Sequence, residues 1–311
     1  MKSIWTMGEL LVEIMRPNKN MYHHIVGEYL GPYPSGAPAI FIDSAARLGV
    51  KAGIIGGIGK DGFGKNLKDR LSTDGVNLEF VTENANHSTA VAFVMYKENG
   101  DREYIFHIAK TAATEIELPD ETIDDVGYFH VVGCSITSDP DFAKKIIEIM
   151  IRMKDNGATI SFDPNIRPEL LYGDMKETIQ PVMDNCSILF PGAEELKIIA
   201  GCNTVEASAE KLFENEKLEI IVLKQGSRGC RLITRKFDEF VPAYKIKQVD
   251  PTGAGDCFDA AFLYGLMQGM DYVQSAKIAS AAGALNAMAF GPMEGKITKE
   301  AIVKIMEEGN I

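Results

Sequence analysis

Residues 250–256 read Asp-Pro-Thr-Gly-Ala-Gly-Asp, a glycine-rich turn that ends in a carboxylate. An apolar helical pattern, Cys257–Met270, follows it directly. Gly253 and Gly255 let the backbone bend so that successive N–H groups point at one spot, and the following helix adds its positive dipole end. The pattern predicts an anion-binding corner between a strand and a helix. Asp256 would stand beside the anion, held ionised by the helix end, as the proton acceptor that phosphoryl transfer requires.

The rest of the chain alternates short β-branched runs with helical patterns of ten or more residues. The runs are Ala52–Ile58, Tyr128–Gly133, Thr159–Phe162, Ser187–Phe190 and Ile220–Lys224. This alternation predicts an α/β fold whose mostly parallel sheet has helices on both faces and ligands at the carboxyl ends of its strands. Residues 10–34 and 88–108 break the rhythm and predict a small lid of antiparallel strands, with a hairpin turn at Asn99–Gly100. We expect one domain over residues 1–311.

The composition is that of an acidic globular protein, with 311 residues, 46% hydrophobic positions and a formal net charge of −12. The chain has no Lys/Arg block, which argues against nucleic acid and membrane surfaces as partners and favours small molecules. It also has no long apolar segment and no signal-peptide pattern at Met1–Glu13, so we expect a cytoplasmic protein. The five cysteines form no C-x-x-C pair and are expected to be reduced and buried.

A second glycine-rich turn competes for the role of phosphate loop. Gly57–Gly62 fits the dinucleotide pattern G-x-G-x-x-G, and Gly59–Lys65 fits the start of a Walker loop. Asn66 stands where the Walker loop needs a hydroxyl for magnesium, and only Glu79 is available as a ribose ligand. A nicotinamide oxidoreductase that uses this turn is one alternative that the sequence leaves open.

The run at residues 250–256 resembles the C-terminal signature of the PfkB (ribokinase-like) family of carbohydrate kinases. The resemblance extends in the expected order from Gly8 to about Gly295, and it includes Gly57–Gly62 as a structural segment. It implies a three-layer α/β/α sandwich with a small β lid, and transfer of the γ-phosphoryl group of Mg-ATP to a primary hydroxyl of a sugar. The implied catalytic residues are the base Asp256, the anion hole Gly253, Ala254 and Gly255, and the cation Arg167.

The resemblance also places a sugar site in the cleft beneath the lid. Glu13 takes the position of an acidic side chain that accepts hydrogen bonds from sugar hydroxyls. Ser35–Gly49 resembles the N-terminal signature, but Ile40 replaces the sugar-binding Asn of most members. Phe162–Pro168 resembles a motif of the fructokinase and 2-keto-3-deoxygluconate kinase branch, where Arg167 suits a transferring phosphoryl group. The implied sugar-site residues are Glu13, Gly36, Ala37, Ile40, Arg102, Tyr104, Asn165 and Asp256.

Nucleotide and cation sites follow from the same resemblance. Residues 224–229 resemble the family's nucleotide loop K-x-G-x-x-G, and Glu195 would order Mg²⁺ through water, although Gly192 replaces the usual Asn before it. The implied nucleotide-site residues are Glu195, Lys224, Gly226, Ser227, Gly229, Gly255 and Ser280. A potassium ion is expected at Asp250, Thr252, Asn286, Ala289, Gly291 and Gly295.

The substrate is harder to infer. His107 stands where acidic-sugar kinases of this kind carry an Arg, which favours a neutral ketohexose, and the run around Ile40 is similar to the tagatose kinase branch. Lys110 or Arg102 could pair with a carboxylate, so 2-keto-3-deoxygluconate stays open. A nucleoside kinase, with Phe41 and Tyr104 as stacking surfaces, and a non-catalytic sugar sensor are further alternatives. The lid strands are expected to pair between subunits of a homodimer.

Overall fold

The computed structural model describes residues 2–121, 123–171 and 173–309. In these ranges, nine strands form a larger sheet. They are β1 (Ser3–Met7), β4 (Ala52–Gly59), β5 (Val81–Asn84), β8 (Val126–Val132), β9 (Thr159–Asp163), β10 (Ile188–Leu189), β11 (Ile220–Lys224), β12 (Gly229–Ile233) and β13 (Asp238–Pro242). Four more form a small sheet, namely β2 (Leu11–Met15), β3 (Leu30–Ser35), β6 (Ala90–Tyr96) and β7 (Arg102–His107).

Of the helices in the described ranges, the first seven lie between strands in sequence and the last three follow β13. They are α1 (Ala37–Arg47), α2 (Gly62–Thr73), α3 (Gly133–Ser138), α4 (Pro140–Asp155), α5 (Met175–Met183), α6 (Ala193–Ala200), α7 (Val205–Leu212), α8 (Ala254–Met267), α9 (Tyr272–Ala287) and α10 (Lys299–Glu308). Within the described part of the chain, no helix combines the length and apolar character needed to span a bilayer.

The larger sheet has the order β13-β12-β11-β10-β9-β8-β1-β4-β5. All neighbours run parallel except β12, which is antiparallel to both β11 and β13. Alternate residues of a strand point to opposite faces, so Ile220 and Val222 enter one hydrophobic cluster and Ile221 and Leu223 enter another. The first cluster includes residues of α1, α8 and α9, and the second includes residues of α4 and α5. This confirms the predicted three-layer sandwich.

The small sheet confirms the predicted hairpin but not the predicted strand directions. β6 and β7 are antiparallel and turn at Gly100, whose φ of 88° favours glycine. β2 and β6, however, pair in parallel, so the prediction of antiparallel strands throughout is wrong at the centre of this sheet. Parallel pairing was not visible in the sequence because the two strands are joined through α1, β4 and α2 rather than by a turn.

Two other boundaries differ from expectation. α8 begins at Ala254, three residues before the predicted start, because Gly253 adopts a left-handed conformation (φ 76°) and caps the helix. The strand predicted to end at Gly133 stops one residue earlier and α3 begins there. A Cβ on Gly133 would lie 1.9 Å from the Pro164 carbonyl oxygen, so this close crossing requires glycine.

All five cysteines are free, but Cys202 is only half-buried, so the expectation that all are buried is wrong there.

Candidate active site

A cavity lies where the small sheet meets the start of α1 and the start of α8. All eight residues expected at the sugar site line it, together with Arg167 and Gly253. The sugar-site residues are Glu13, Gly36, Ala37, Ile40, Arg102, Tyr104, Asn165 and Asp256. The fold therefore brings into one cavity residues that are more than 200 positions apart in the sequence.

Glu13, in β2, offers an unused hydrogen-bond acceptor inside this cavity. Its Oε1 accepts a hydrogen bond of 2.7 Å from the Ser35 hydroxyl. Its Oε2 is buried and has no partner among the described residues. Burial raises the pKa of Glu13 to about 7, although the Ser35 hydrogen bond and the charge of Arg102 oppose the shift. A buried carboxylate oxygen without a partner is costly, and a ligand hydroxyl would satisfy it.

Asp256 lies in the first turn of α8 and is buried. Burial raises its pKa to about 7, and the negative charge of Asp163 adds to this, while Lys224 and Arg167 oppose it. The expectation that the helix end holds Asp256 ionised is therefore wrong, because the loss of hydration outweighs the helix dipole. A carboxylate with a pKa near 7 can accept a proton efficiently at neutral pH.

An ion cluster that the sequence reasoning missed lies next to Asp256. Lys224 Nζ, at the end of β11, donates to Asp163 Oδ2 at 2.8 Å and to Asp259 Oδ2 at 3.0 Å. Although burial opposes it, the two carboxylates raise the pKa of Lys224 above its usual value, so the ammonium stays charged. Asp259 follows Asp256 by three positions in an otherwise apolar helix, and this spacing could have indicated it.

The cavity also carries two guanidinium groups around one aromatic ring. Arg102 and Arg167 lie with their guanidinium carbons 5.8 and 6.0 Å from the centre of the Tyr104 ring. Arg102 Nη1 also donates to the Thr252 hydroxyl at 3.2 Å. Within the described ranges, neither arginine has a carboxylate within 4.0 Å. Both positive charges therefore remain available to an anionic group of a ligand.

The first helix closes the cavity through backbone contacts. Gly36 caps α1 with a φ of 105°, and a Cβ there would lie 2.4 Å from the Glu9 carbonyl oxygen, so only glycine fits. Ile40 is buried, and its Cγ2 would lie 3.1 Å from a Cβ on Gly253. The Ile40 side chain, which stands where most family members have Asn, thus packs against the turn at Gly253. Phe41 does not reach the cavity, since it stacks on His130 in the core at 4.0 Å. It is therefore no stacking surface for a nucleobase.

Glu9 is a further cavity residue that the sequence reasoning missed. It is buried and accepts hydrogen bonds from the Ser135 hydroxyl and from Cys134 Sγ, the latter at 3.3 Å. Burial raises the pKa of both Glu9 and Cys134, which keeps the thiol protonated and unreactive. The only signal in the sequence was an acidic residue at the end of a strand, which is common at solvated strand ends.

A second cavity, of about 1010 Å³, lies on the other side of the α8 N-terminus. It is lined by every residue expected at the nucleotide site except Glu195: Lys224, Gly226, Ser227, Gly229, Gly255 and Ser280. Phe258 and Ala284 add apolar surface. Gly255 faces this nucleotide pocket, whereas Gly253 and Asp256 face the smaller cavity. The predicted anion hole therefore lies at the junction of the two.

Glu195 lines neither cavity, and both of its carboxylate oxygens accept backbone hydrogen bonds. Oε1 binds the amide of Ile166 at 2.8 Å, and Oε2 binds the amide of Gly192 at 2.7 Å, which caps α6. In the described ranges, no group of three or more His, Cys, Asp or Glu side chains could hold a metal ion. Mg²⁺ bound mainly by phosphates and water needs no such group.

The residues expected at the potassium site form one hydrogen-bonded cluster. Asp250 Oδ2 accepts from the Gly291 amide at 3.0 Å and from the Tyr96 hydroxyl at 2.9 Å. Asn286 donates to the Thr252 carbonyl at 2.8 Å. The Asn286 side-chain oxygen in turn accepts from the amide of Gly295 at 3.2 Å. Tyr96 belongs to β6, so the cluster joins the small sheet to the anion-hole turn.

The competing glycine turn at Gly57–Gly62 is already filled by a side chain. Asp61 caps α2 and accepts from the amides of Phe63 and Gly64 at 3.0 and 2.8 Å. Its second oxygen accepts from the Thr89 amide at 2.8 Å. A carboxylate thus occupies the place where a dinucleotide pyrophosphate would bind, which argues against the oxidoreductase alternative.

Comparison with known proteins agrees with this geometry. The model of the pfkB family carbohydrate kinases matches residues 1–299. Fructokinase-1 of Oryza sativa subsp. japonica is 32% identical over 287 residues, which is 88% of each chain. Probable fructokinase-5 of Arabidopsis thaliana is 33% identical over 270 residues, covering 85% of this chain and 82% of the relative.

Solved structures show the same likeness. An E. coli protein described as a candidate ribokinase II, in complex with ATP and Mg²⁺, superimposes with a TM-score of 0.90 at 34% identity, over 99% of this chain and 100% of that one. Fructokinase from Vibrio cholerae O395, with fructose, ADP and potassium bound, has a TM-score of 0.86 over 98% of each chain, and at 24% identity it supports the fold alone.

The chain therefore belongs to the PfkB family of carbohydrate kinases and has the ribokinase-like α/β fold. It is a phosphotransferase of the fructokinase type that phosphorylates a sugar with ATP. These findings confirm the family, the fold class and the enzyme class expected from the sequence.

Proposed function

We propose that the protein transfers the γ-phosphoryl group of Mg-ATP to a primary hydroxyl of a neutral ketohexose, fructose or tagatose, with Asp256 as the general base. The position of Asp256 carries this proposal. It is a buried carboxylate with a pKa of about 7, beside an anion-binding turn that separates a small polar cavity from a nucleotide pocket. The fructokinase relatives support a ketohexose.

The chain's own groups divide the work. Glu13 Oε2 holds sugar hydroxyls, so that the reacting hydroxyl faces Asp256, which orients it and accepts its proton as the bond to phosphorus forms. The Ala254 amide already donates to the Pro251 carbonyl at 3.2 Å, so we assign the anion hole to the Gly253 and Gly255 amides rather than to all three. Arg167 balances the charge that spreads over the transferring group.

We propose cation roles only where the donors fit. Mg²⁺ bound to ATP would neutralise phosphate charge, and Glu195, with lone pairs left after its two backbone bonds, would hold one of its waters. A potassium ion beside Asp250 and the Thr252 carbonyl would stiffen the turn that carries Gly253 and Gly255. The oxygen-rich composition of that cluster suits an alkali cation.

A second candidate substrate, 2-keto-3-deoxygluconate, is favoured by one observation. Arg102 lines the sugar cavity, and in the described part of the chain it has a hydroxyl but no carboxylate as partner. A sugar carboxylate would pair with its guanidinium group. The ketohexose remains the better proposal because Arg102 is already held by the Thr252 hydroxyl and by the Tyr104 ring.

We further propose that residues 1–311 act as one cytoplasmic catalytic unit and that two chains associate through their small sheets. β3 and β7 are the edge strands of that sheet, and Ile105 on β7 is exposed. Open strand edges with apolar side chains favour pairing with a second copy. Analytical ultracentrifugation of wild type and Ile105→Lys would test the dimer, which the variant should weaken.

The function is tested by ADP formation from Mg-ATP with fructose, tagatose, 2-keto-3-deoxygluconate and adenosine, with and without potassium. We expect turnover with a ketohexose. Asp256→Asn should lower kcat by about 10²- to 10⁴-fold while ATP still binds, because the general base is lost. Asp155→Asn, at an exposed site, is the matched control. Unchanged turnover in Asp256→Asn would exclude the proposed base, and turnover with adenosine alone would exclude the sugar.

A further inference from the structure

A groove with its own chemistry lies next to the nucleotide pocket. It runs between segment 245–247, the end of α9, loop 289–296 and α10, it is open to solvent, and it is larger than the nucleotide pocket. Its apolar lining includes Ile246, Leu285, Met288 and Ile305. We call it the lysine groove, since its rim carries Lys245, Lys247 and Lys296.

Among the described residues, the three rim lysines of the lysine groove have no ion-pair partner, whereas two of its three acids pair with a basic side chain. In residues 2–121, 123–171 and 173–309, none of the three rim lysines has a carboxylate within 4.0 Å. Glu294 pairs with Arg70 at 3.4 Å, and Glu308 pairs with Lys304 at 3.8 Å. The third acid, Glu300, lies in the first turn of α10, where its own backbone amide and Thr298 lower its pKa. In a chain of net charge −12, unpaired ammonium groups around an apolar floor form an anion-attracting site.

The lysine groove shares a wall with the nucleotide pocket. Lys245 and Ile246 line both spaces. Their segment is fixed to the end of α9, because the amides of Val249 and Asp250 donate to the Ala287 carbonyl at 2.8 and 3.2 Å. An anionic ligand that draws the Lys245 side chain into the groove therefore removes a positive charge from the nucleotide pocket. The ligand also places its own negative charge close to the nucleotide pocket.

We propose that the lysine groove binds a small organic anion with an apolar or aromatic body and that this binding weakens the affinity for ATP. The ammonium groups would bind the phosphate, sulfonate or carboxylate of the ligand, and the body would cover Ile246, Leu285 and Met288. By thermodynamic linkage the coupling is reciprocal, so ATP weakens binding of the anion by the same factor. A metabolite that binds at this site would inhibit the enzyme without resembling the sugar.

The probe is 1-anilinonaphthalene-8-sulfonate, whose fluorescence reports binding and whose sulfonate and rings match the proposed ligand class. Its dissociation constant should rise about tenfold in Lys247→Glu/Lys296→Glu, because two attractive charges become repulsive. The matched control is Lys236→Glu/Lys277→Glu, which reverses two exposed lysines outside the groove and should bind as the wild type does.

Equilibrium dialysis then measures ATP binding with and without saturating probe. The ATP dissociation constant should rise at least about threefold in the wild type and the control, but not in the groove variant. Equal probe binding in all three proteins overturns the proposal, since the probe would then bind elsewhere or in the nucleotide pocket itself. If the groove variant loses probe binding but the probe does not change the ATP affinity of the wild type, the groove binds the probe without coupling to ATP. That result overturns the proposed coupling. Neither measurement uses a sugar, so the result is independent of the proposed substrate.

Discussion

The two sides of Asp256 are built in different ways. The nucleotide pocket is lined mainly by three stretches of neighbouring residues, 224–229, 243–248 and 280–287, and by the start of α8 from Ala254 to Phe258. The sugar cavity is lined by single side chains from segments spread between Glu9 and Asp256. Phosphate is recognised by backbone amides at local turns, whereas sugar hydroxyls require separate side chains that the tertiary fold must assemble. Substitutions in the Gly253–Gly255 turn should therefore alter activity by displacing the backbone. Substitutions in the sugar cavity should each remove a single contact with the sugar.

Among changes on the two sides of Asp256, the largest effect is expected from Gly253→Ala. Its φ of 76° disfavours a side chain, and a Cβ would lie 2.3 Å from the Pro292 carbonyl oxygen. Displacement of the turn should lower kcat/KM by about 100-fold. Gly269→Ala is the matched control, since Gly269 has a φ of 78° but nothing within 4 Å of a Cβ. It should cost about 1 kcal/mol of stability and leave activity intact. Equal activity of Gly253→Ala and Gly269→Ala would contradict the inference that the backbone position of the Gly253 turn matters for catalysis.

A smaller effect is expected on the sugar side from Glu13→Gln. The amide replaces one acceptor oxygen with a donor, so hydrogen bonds from sugar hydroxyls to a charged group are lost. KM for the sugar should rise about 10- to 100-fold, and KM for ATP should change little. Steady-state kinetics with each substrate varied measures the difference. Glu28→Gln, at an exposed position in the neighbouring loop, should leave both constants unchanged, and an equal rise in both KM values would show that Glu13 acts structurally.

The raised pKa of Asp256 has a consequence for stability. Its folded-state pKa is about 7, above the value of about 3.8 expected when unfolded, so the folded state binds the proton more tightly. This contribution is complete below the unfolded pKa and is lost as pH rises through 7. The wild type minus Asp256→Asn difference in unfolding free energy should therefore be about 2–3 kcal/mol larger at pH 5 than at pH 8. Urea unfolding at both pH values measures it, and an equal difference at pH 5 and pH 8 would mean that Asp256 stays ionised in the folded protein.

The smallest effect is expected from Arg102→Met when the substrate is a ketohexose. Arg102 contacts the Thr252 hydroxyl and the Tyr104 ring, and a neutral sugar offers it no charge to bind. The kcat/KM for fructose should stay within about threefold of wild type, as the modest strength of such exposed polar contacts implies. Lys110→Met makes the same change at the other basic side chain that could pair with a sugar carboxylate. A loss of more than tenfold in Arg102→Met would favour the acidic sugar instead.

Several expectations from the sequence survived because they rest on local chemistry. The hairpin turn at Gly100, the backbone bend at Gly253 and the strand Ile220–Lys224 each follow from backbone preferences within a few residues. The pKa of Asp256 was misjudged for the opposite reason. A helix terminus is visible in the sequence, but burial beneath the small sheet and repulsion by Asp163 are not. The spacing of Asp256 and Asp259 gave a local signal for Asp259, but the sequence did not show that Lys224, Asp163 and Asp259 meet, since they come from three separate elements.

The sequence by itself determined the family and the fold class and predicted an anion-binding corner, because glycine turns and strand periodicity encode backbone geometry directly. Only the tertiary structure decided the parallel pairing of β2 with β6, the unpaired oxygen of Glu13, the availability of Arg102 and the shared wall of the lysine groove. Each of these depends on which distant side chains meet and on how much water they lose. Those quantities are set by packing over the whole chain and not by any local run of residues.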